Sequence, residues 1–272
     1  MSPDFWYTYA ITNSHIALNF PVIRVNVRTG GIEVIELNAD NWTLHPESDD
    51  LAAYGIDLDD HHDYVFIPND DLFLTRDIID KYNIGPGDDT FMIGRFVNHE
   101  GRQKNLPSIR FGNIAQMPYE SIRLSSGIEQ EAFLVETRSL GGYSGAPVFV
   151  QIPPLSDRQN SNRRDFAPLG PWLLGIDCGH LPLVEYVEDK ESHRHPDGWR
   201  VIANSGMMIV IPSWRLQILL ESEEFIVQRQ TEDSKLIEDK EKLTPFMEGK
   251  RSRGVSRPGR VSQSISAILM NH

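Results

Sequence analysis

Short apolar runs separated by polar, glycine-containing turns make up most of the chain. Many runs alternate apolar and polar residues or are rich in β-branched and aromatic residues, which is typical of strands. The turn Thr29-Gly30-Gly31 between two such runs predicts a hairpin, and Gly112 is a candidate β-bulge. The pattern predicts about twelve short strands. The clearest span residues 5–11, 23–27, 32–37, 64–67, 90–97, 108–117, 132–137, 147–152, 172–178 and 207–211.

Only two segments show a convincing helical pattern, residues 74–82 and residues 214–223. Ser213 is the expected N-cap of the second helix. Its apolar residues Leu216, Leu219 and Leu220 fall on one helical face, which we expect to point inward. Many short strands with few helices predict an all-β barrel or sandwich.

The character of the chain changes at residue 225. Residues 228–242 are nearly all charged or polar, and residues 250–260 are basic with two glycines and a proline. Such a composition buries too little apolar surface to offset the conformational entropy lost on folding. The sequence therefore predicts a polar, mostly disordered tail over residues 225–272, with a marginal helix at its start.

Composition excludes several classes of protein. The net charge of −13 argues against a nucleic-acid partner, and no apolar run reaches the length of a membrane span, so we expect no membrane partner. The first residues lack the basic and apolar regions of a secretory signal. A single cysteine, Cys178, excludes an internal disulfide and fits a reducing compartment. We expect a cytoplasmic protein, or a fragment without its targeting segment, and make no prediction of its oligomeric state.

One serine lies in a stretch suited to acyl transfer. Ser144 follows Gly141-Gly142-Tyr143 and precedes Gly145 and an apolar run. Glycines beside a serine let the backbone turn tightly and bring its N–H groups close to a substrate. The reaction also needs a base and a carboxylate that orients the base. His15 and Asp50, each beside a run that predicts a strand, are the candidates.

These three segments resemble those of the trypsin-like serine peptidases. Residues 9–16, Tyr-Ala-Ile-Thr-Asn-Ser-His-Ile, resemble the family's histidine segment. Residues 50–53, Asp-Leu-Ala-Ala, resemble its aspartate segment, and residues 142–148, Gly-Tyr-Ser-Gly-Ala-Pro-Val, its nucleophile loop. The order along the chain, histidine, aspartate and serine, is also that of the family.

Further segments extend the resemblance over roughly residues 5–224. Residues 87–94 are typical of the bacterial, disulfide-free branch. Residues 174–179, Leu-Gly-Ile-Asp-Cys-Gly, resemble the strand that lines the substrate, and residues 205–212 resemble the closing strand before the C-terminal helix. The resemblance implies two six-stranded antiparallel β-barrels of chymotrypsin type with a C-terminal helix. On this basis residues 1–107 form the first barrel and residues 108–224 the second barrel and the helix.

The resemblance also implies the roles of individual residues. Ser144 would attack the carbonyl of a polypeptide substrate, His15 would act as general base and then acid, and Asp50 would orient His15. The backbone N–H groups of Gly142 and Ser144 would form the oxyanion hole. Substrate contacts fall to Gly175, Ile176 and Asp177, and to Arg138, which occupies the position at the base of the primary pocket. An arginine buried there would favour acidic side chains, whereas one turned to solvent would not. We expect no metal and no cofactor.

The sequence departs from the family pattern at two places. Tyr143 stands where the digestive members carry an aspartate, so we expect no activation by an ion pair with a new N-terminus. Only fourteen residues precede His15, where the family has one or two further strands and often a Gly-Thr-Gly-Phe segment. We therefore expect a first barrel that lacks strands at its N-terminal side.

Four alternatives remain beside this reading. Asp49 competes with Asp50, which we prefer because the following Leu51-Ala52-Ala53 matches the family strand. An α/β-hydrolase would combine Ser144 with Asp177 and one of His180, His193 or His195, but Ala146 breaks its nucleophile motif. A metal site could draw on His45, His61, His62 and Asp63, although adjacent histidines on a strand point to opposite faces. Finally, the chain could be a catalytically silent member that binds other proteins.

Overall fold

The computed structural model describes residues 6–20, 22–95, 103–124, 127–137, 142–153, 169–189, 193–194, 197–247 and 265–269. Sixteen strands, five α-helices and one 3-10 helix occur among these residues. In chain order they are β1 Tyr7–Thr12, α1 Ser14–Ala17, β2 Val22–Val27, β3 Ile32–Glu36, the 3-10 helix Ala39–Asn41, β4 Thr43–Leu44, β5 Ala52–Gly55, β6 His62–Asp63, β7 Ile67–Pro68, α2 Asn69–Leu72, α3 Arg76–Tyr82, β8 Asp89–Arg95, β9 Pro107–Gln116, β10 Ile122–Arg123, β11 Glu129–Gln130, β12 Phe133–Thr137, β13 Pro147–Ile152, β14 Leu169–Tyr186, β15 Arg200–Pro212, α4 Ser213–Leu220, α5 Glu223–Met247 and β16 Ile265–Leu269.

Six strands close into an antiparallel barrel in the order β8, β9, β12, β15, β14, β13. Alternate residues of β8 point into it, and its interior is filled by large buried side chains such as Phe133, Ile152 and Leu174. The mostly-β fold with a closed barrel confirms the prediction, and the antiparallel pairing excludes the parallel sheet of an α/β-hydrolase. The barrel begins with β8, ahead of the predicted boundary at residue 107, because β8 pairs with both β9 and β13.

Gly112 is not the site of a bulge. The register between β9 and β12 shifts at Leu134 and Val135, several residues from the pairing of Gly112 with Thr137. A side chain at Gly112 would collide with the carbonyl of Glu136. The glycine therefore permits close approach of two backbones within the barrel wall.

The described strands of the N-terminal half form two separate sheets instead of a closed barrel. One sheet has the order β3, β2, β6, and the other has the order β4, β5, β1, β16, β7. The predicted hairpin joins β2 and β3, where Gly30 and Gly31 have φ values of 99° and 98°. Among the described strands, only β8, β9 and β12 to β15 therefore close into a barrel.

The two halves share one hydrophobic core. Tyr9, Ile11 and Leu51 of the N-terminal half pack in the same cluster as Phe149 and Leu173 of the barrel. Helix α4 completes this cluster through its completely buried residues Leu216, Leu219 and Leu220, which confirms the predicted inward face. The junction between the halves is therefore a packed interior, and the residues at its rim are held in fixed relative positions.

Ser213 does not cap α4 through its side chain. Pro212 is the N-cap, and the buried hydroxyl of Ser213 donates instead to the carbonyl of Leu74 at 2.6 Å. This hydrogen bond ties the start of the helix to the segment between α2 and α3, a long-range contact that local capping rules do not predict.

The region predicted as a disordered tail contains both α5 and β16, while residues 248–264 and 270–272 lie outside the described residues. Phe225 packs edge-on against Tyr9 with ring centroids 4.7 Å apart. Arg229 donates to the Tyr9 hydroxyl at 3.0 Å, and Asp233 accepts from the Tyr7 hydroxyl. The first turns of α5 are therefore bound to β1, which accounts for a helix longer than the marginal one expected. β16 pairs with β1 in parallel and with β7 antiparallel.

Within the described ranges, none of the helices has the length and apolar character needed to cross a membrane.

Candidate active site

His15 is placed by a short helix directly after a buried strand. β1 ends at Thr12, and Asn13 caps the single turn of α1, which presents the histidine on its first turn. The buried amide of Asn13 donates to the backbone carbonyl of Asp50 at 2.9 Å. The imidazole itself is 47% exposed. The ring is therefore fixed from the protein side and open toward solvent.

The carboxylate of Asp50 accepts three hydrogen bonds from the start of α1. Oδ1 accepts from the Ser14 hydroxyl at 2.6 Å and from the backbone N–H of His15 at 3.1 Å. Oδ2 lies 2.6 Å from Nδ1 of His15. Because an ionised carboxylate only accepts hydrogen bonds, Nδ1 carries the proton and Nε2 is left without one in the neutral ring. The pair thus presents a basic nitrogen to the exposed side.

Each member of this pair stabilises the charged form of the other. The hydrogen bond to Asp50 raises the pKa of His15 above its ordinary value, although burial of part of the ring acts in the opposite direction. Burial acts to raise the pKa of Asp50, but the hydrogen bonds from His15 and Ser14 outweigh it and the pKa is lowered. Asp50 therefore stays ionised at neutral pH and favours a proton on the imidazole.

Asp49 is occupied elsewhere. Its carboxylate binds the guanidinium of Arg215 in α4, and Glu47 binds the same guanidinium at 2.7 Å. His45 is buried beside this pair and contacts the carbonyl of Arg215 at 3.0 Å through Nε2. Of the two adjacent aspartates, only Asp50 contacts His15.

Sequence reasoning missed Gln130, which reaches Asp50 from the other half of the molecule. Gln130 lies on β11 and is completely buried. Its side-chain oxygen accepts from the backbone N–H of Asp50 at 3.2 Å, and its amide donates to the carbonyl of Glu131 at 3.1 Å. No local signal marks this residue, because eighty positions separate it from Asp50. Asn13 and Ser14, by contrast, stand directly before His15 and could have been found by position.

Ser144 lies in a tight turn at the start of β13. The N–H of Ala146 donates to the carbonyl of Tyr143 at 2.9 Å, which closes the turn around the serine. Gly142 and Gly145 have φ values of 94° and 86°, a left-handed conformation that favours glycine on either side of the serine. Toward the described residues the N–H groups of Gly142 and Ser144 donate no hydrogen bond.

Tyr143 anchors this turn from within the barrel. The ring is buried, and its hydroxyl lies 3.1 Å from the Ser108 hydroxyl. The guanidinium of Arg110 stands 5.0 Å from the ring centroid, within the range of a cation–π contact. Tyr143 therefore stabilises the turn by packing and by these two contacts.

Two backbone hydrogen bonds join the serine turn to β14. The N–H of Gly145 donates to the carbonyl of Asp177 at 2.8 Å, and the N–H of Asp177 donates to the carbonyl of Ala146 at 2.9 Å. The carboxyl of Asp177 also raises the pKa of His15, so the two lie within electrostatic range. The serine turn is therefore bonded to a residue that faces the histidine. Among the described side chains, no hydrogen bond joins Ser144 to His15.

The residues predicted to contact the substrate differ in their surroundings. Asp177 is buried, its carboxyl accepts from the N–H of Gly179 at 2.8 Å, and burial raises its pKa to about 7. Ile176 packs in the shared core, and a side chain at Gly175 would collide with the carbonyl of Ile211. These residues place the β14 backbone, while Arg138 lies outside the described residues.

A free cysteine lies close to this site. Cys178 is a free cysteine, and burial raises the pKa of its thiol well above the ordinary value, with the charges of Asp177 and Asp50 acting in the same direction. Because the thiolate is the reactive form, the raised pKa disfavours reaction at Cys178.

Comparison with known proteins gives a structural similarity and no match at the level of sequence families. No protein-family model matches the chain, and no curated relative was found. Among solved structures, the chain is similar to the HtrA-type protease AlgW with decapeptide, with a TM-score of 0.43 and 17% sequence identity. The similarity covers 78% of this chain and 47% of that one, so the chain spans about half of that protein's length. A similarity of this extent does not bear on the activity of this chain, whose function is inferred below from its own residues.

Proposed function

We propose that the protein is a serine endopeptidase in which Ser144 is the nucleophile, His15 the general base and Asp50 the residue that orients the base. The observation that carries the proposal is the 2.6 Å contact between Oδ2 of Asp50 and Nδ1 of a half-exposed histidine. A carboxylate in this position selects the tautomer whose Nε2 can accept a proton. Asn13, Ser14 and Gln130 hold the carboxylate and its backbone, which favours a single ring orientation.

The proposed reaction balances in two steps. Oγ of Ser144 attacks the peptide carbonyl carbon while Nε2 of His15 takes the hydroxyl proton, and His15 then passes that proton to the leaving amine. Water subsequently attacks the acyl-enzyme and gives a proton to Nε2, and His15 returns that proton to Oγ of Ser144 as the carboxylic acid is released. Asp50 stays ionised and stabilises the imidazolium in both steps.

The N–H groups of Gly142 and Ser144 would bind the developing oxyanion. Neither donates to a described residue, and both lie in the turn that carries the serine. One such donor contributes about 3 kcal/mol to transition-state stabilisation in enzymes of this mechanism. A polypeptide is the substrate class that we propose.

A fluorophosphonate probe tests the proposal directly, because it reacts with an activated serine and leaves a covalent adduct that mass spectrometry can locate. We expect labelling at Ser144, abolished in Ser144→Ala and nearly abolished in His15→Ala, since the triad acts as a unit. Matched controls are Ser234→Ala and His193→Ala. Ser234 is exposed on α5, and His193 contacts Asp189 at 3.3 Å in another exposed histidine–aspartate pair. Equal labelling with and without His15 would overturn the proposal.

The second candidate is a catalytically silent fold that binds peptides. The observation in its favour is that no hydrogen bond joins the described side chains of Ser144 and His15. This candidate predicts a folded chain that leaves the probe unreacted and yet retains peptide ligands, with the same affinity in Ser144→Ala. Peptide binding and probe labelling measured on one preparation distinguish the two.

A further inference from the structure

Two adjacent histidines and two carboxylates gather on the three-stranded sheet β3-β2-β6. Glu33 lies on β3, and His62 is the first residue of β6. His61 belongs to the turn that precedes β6. Asp59 stabilises this turn, since its Oδ1 accepts from the N–H of His61 at 3.1 Å and its carbonyl accepts from the N–H of His62 at 3.2 Å.

The position of His61 in a turn brings the two imidazoles together. Their ring centroids are 3.8 Å apart with the planes inclined by 37°. The expectation that adjacent histidines point to opposite faces applies to two residues on one strand, and only His62 is on the strand. The other members of the set considered from the sequence lie apart: His45 contacts Arg215, and Asp63 faces Lys104 at 3.8 Å.

The two carboxylates lie on opposite sides of the two imidazole rings. Oε2 of Glu33 lies 3.1 Å from Nε2 of His61 and 3.4 Å from Nε2 of His62. On the opposite side of both rings, Oδ1 of Asp59 contacts Nδ1 of His61 and lies 3.1 Å from Nδ1 of His62. Each imidazole thus has one nitrogen toward Glu33 and the other toward Asp59.

The side chain of His62 is only 6% exposed, and neither of its ring nitrogens has a hydrogen-bond partner among the described residues. The carboxylate oxygens of Glu33 and Asp59 are close to these nitrogens but out of line for a hydrogen bond. A buried polar atom left without a partner costs roughly 1–3 kcal/mol. A ligand placed between Glu33 and the two histidines would satisfy Nε2 of His62.

We propose that Glu33, His61 and His62 form a binding site for a divalent transition-metal cation, with zinc the best match, ligated by Oε2 of Glu33 and Nε2 of each histidine. Ligands of a tetrahedral zinc ion at the usual bond lengths lie about 3.3 Å from one another. The two contacts of Glu33, 3.1 and 3.4 Å, are close to this value, and the three ligand atoms all lie within 4.8 Å of one another.

Asp59 is the positioning residue of this site. Ligating histidines generally donate their second ring nitrogen to a carboxylate, which fixes the tautomer and the orientation of the ring. Oδ1 of Asp59 lies beside the second ring nitrogen of both histidines. Three protein ligands leave the fourth tetrahedral position to water. The bound ion would connect β3 to the turn before β6 and thereby hold this edge of the N-terminal half together.

Titration of the full chain with zinc, after removal of metals by a chelator, tests the site. We expect isothermal calorimetry to give one strong site, and cobalt to give the intense visible absorption of a tetrahedral complex. Glu33→Gln and His61→Asn should each weaken zinc binding by at least about tenfold. Both residues are about half exposed, with side-chain exposures of 46% and 48%, so we expect both variants to fold, as circular dichroism can verify.

Glu36→Gln is the matched control, because Glu36 is exposed on the same strand. It should bind zinc as the unchanged protein does. His15→Ala should also bind zinc unchanged, which separates this site from the histidine of the proposed triad. The proposal is overturned if zinc does not bind, or if folded Glu33→Gln and His61→Asn bind it as tightly as the control.

Discussion

Asp49 and Asp50 are consecutive residues with similar burial, at 6% and 8% exposure, but their surroundings have opposite character. Asp49 meets the permanently charged Arg215 of α4, with the buried His45 beside it. Asp50 meets a half-exposed imidazole that can gain or lose a proton near neutral pH. The burial of a carboxylate therefore does not reveal its role. The partner distinguishes the two residues: Asp49 is paired with a fixed charge in the interior, and Asp50 with a titratable ring at the surface, as the proposed general-base role requires.

Asp50→Asn should produce the largest effect. An amide can donate to Nδ1 of His15, which favours the tautomer with the proton on Nε2 and removes the base. We expect the rate of fluorophosphonate labelling at Ser144 to fall by a factor of about 10³–10⁴. The rate of labelling can be measured directly, and circular dichroism verifies that the variant is folded. A variant that is folded and labels at the original rate would remove Asp50 from the proposed triad.

Asp49→Asn should act on stability instead. Breaking one side of a buried ion pair typically costs 3–5 kcal/mol, and because Glu47 still contacts Arg215 we expect about 3 kcal/mol. Denaturant unfolding measures this loss of unfolding free energy. Under native conditions the labelling rate of Ser144 should change by less than about tenfold, since Asp49 does not contact His15. A loss of labelling as large as that of Asp50→Asn would end the contrast between the two residues.

The pH dependence of labelling should also differ between the Asp50 and Asp49 variants. Only the neutral imidazole can accept the serine proton, so labelling should increase with pH through the pKa of His15. The hydrogen bond to Asp50 raises this pKa, which puts the midpoint above the ordinary histidine value of about 6.5. In Asp50→Asn the residual labelling should have its midpoint at lower pH, whereas in Asp49→Asn the midpoint should stay. A pH–rate profile of each variant tests both statements.

The pKa shifts of His15 and Asp50 also contribute to the pH dependence of stability. Because the pKa of His15 is raised by folding, its contribution is present below the unfolded pKa and is lost as pH rises through the folded pKa. The pKa of Asp50 is lowered, so its contribution is present above the unfolded pKa and is lost as pH falls through the folded pKa. Together the two groups stabilise the folded protein most between the unfolded pKa of Asp50 and the unfolded pKa of His15. The free energy of unfolding, measured across pH, tests this expectation.

Ser14→Ala should have the smallest effect. It removes one of three donors to the Asp50 carboxylate and leaves the contact with His15 in place. A hydrogen bond of this kind contributes about 1 kcal/mol, so we expect the labelling rate to fall about fivefold. The pKa of Asp50 should rise, because Ser14 helps to lower it. A change no greater than in the control Ser234→Ala would show that the other two donors suffice.

Local pattern predicted the parts of the fold that depend on short-range order. Alternating apolar runs predicted an all-β barrel or sandwich, of which the structure has the closed barrel. Leu216, Leu219 and Leu220 are buried because helical spacing puts them on one face. The preference for Asp50 over Asp49 rested on the resemblance of Leu51-Ala52-Ala53 to the family strand, and Ala52 and Ala53 lie in β5. In these cases the residues that decide the structure are neighbours in the chain.

Features made by distant residues could not be predicted in this way. Gln130 supports Asp50 from eighty residues away, and Arg215 binds Asp49 from α4. Residues 64–66 separate β6 from β7, where one strand was predicted over 64–67. Nothing in the composition of either segment indicates these partners, because tertiary packing selects them.

The pairing of β16 with β1 has a consequence for the order of events during synthesis. Tyr7 is opposite Ile265, a pairing of very long sequence separation, whereas the barrel is complete once residue 212 has been made. Contacts of long separation form late because closing a large loop costs entropy before any contact is gained. Since domains fold as units while the chain grows, the barrel with Ser144 can form first. The sheet that leads into His15 gains β16 only after residue 269 has left the ribosome, which separates the maturation of the two halves in time.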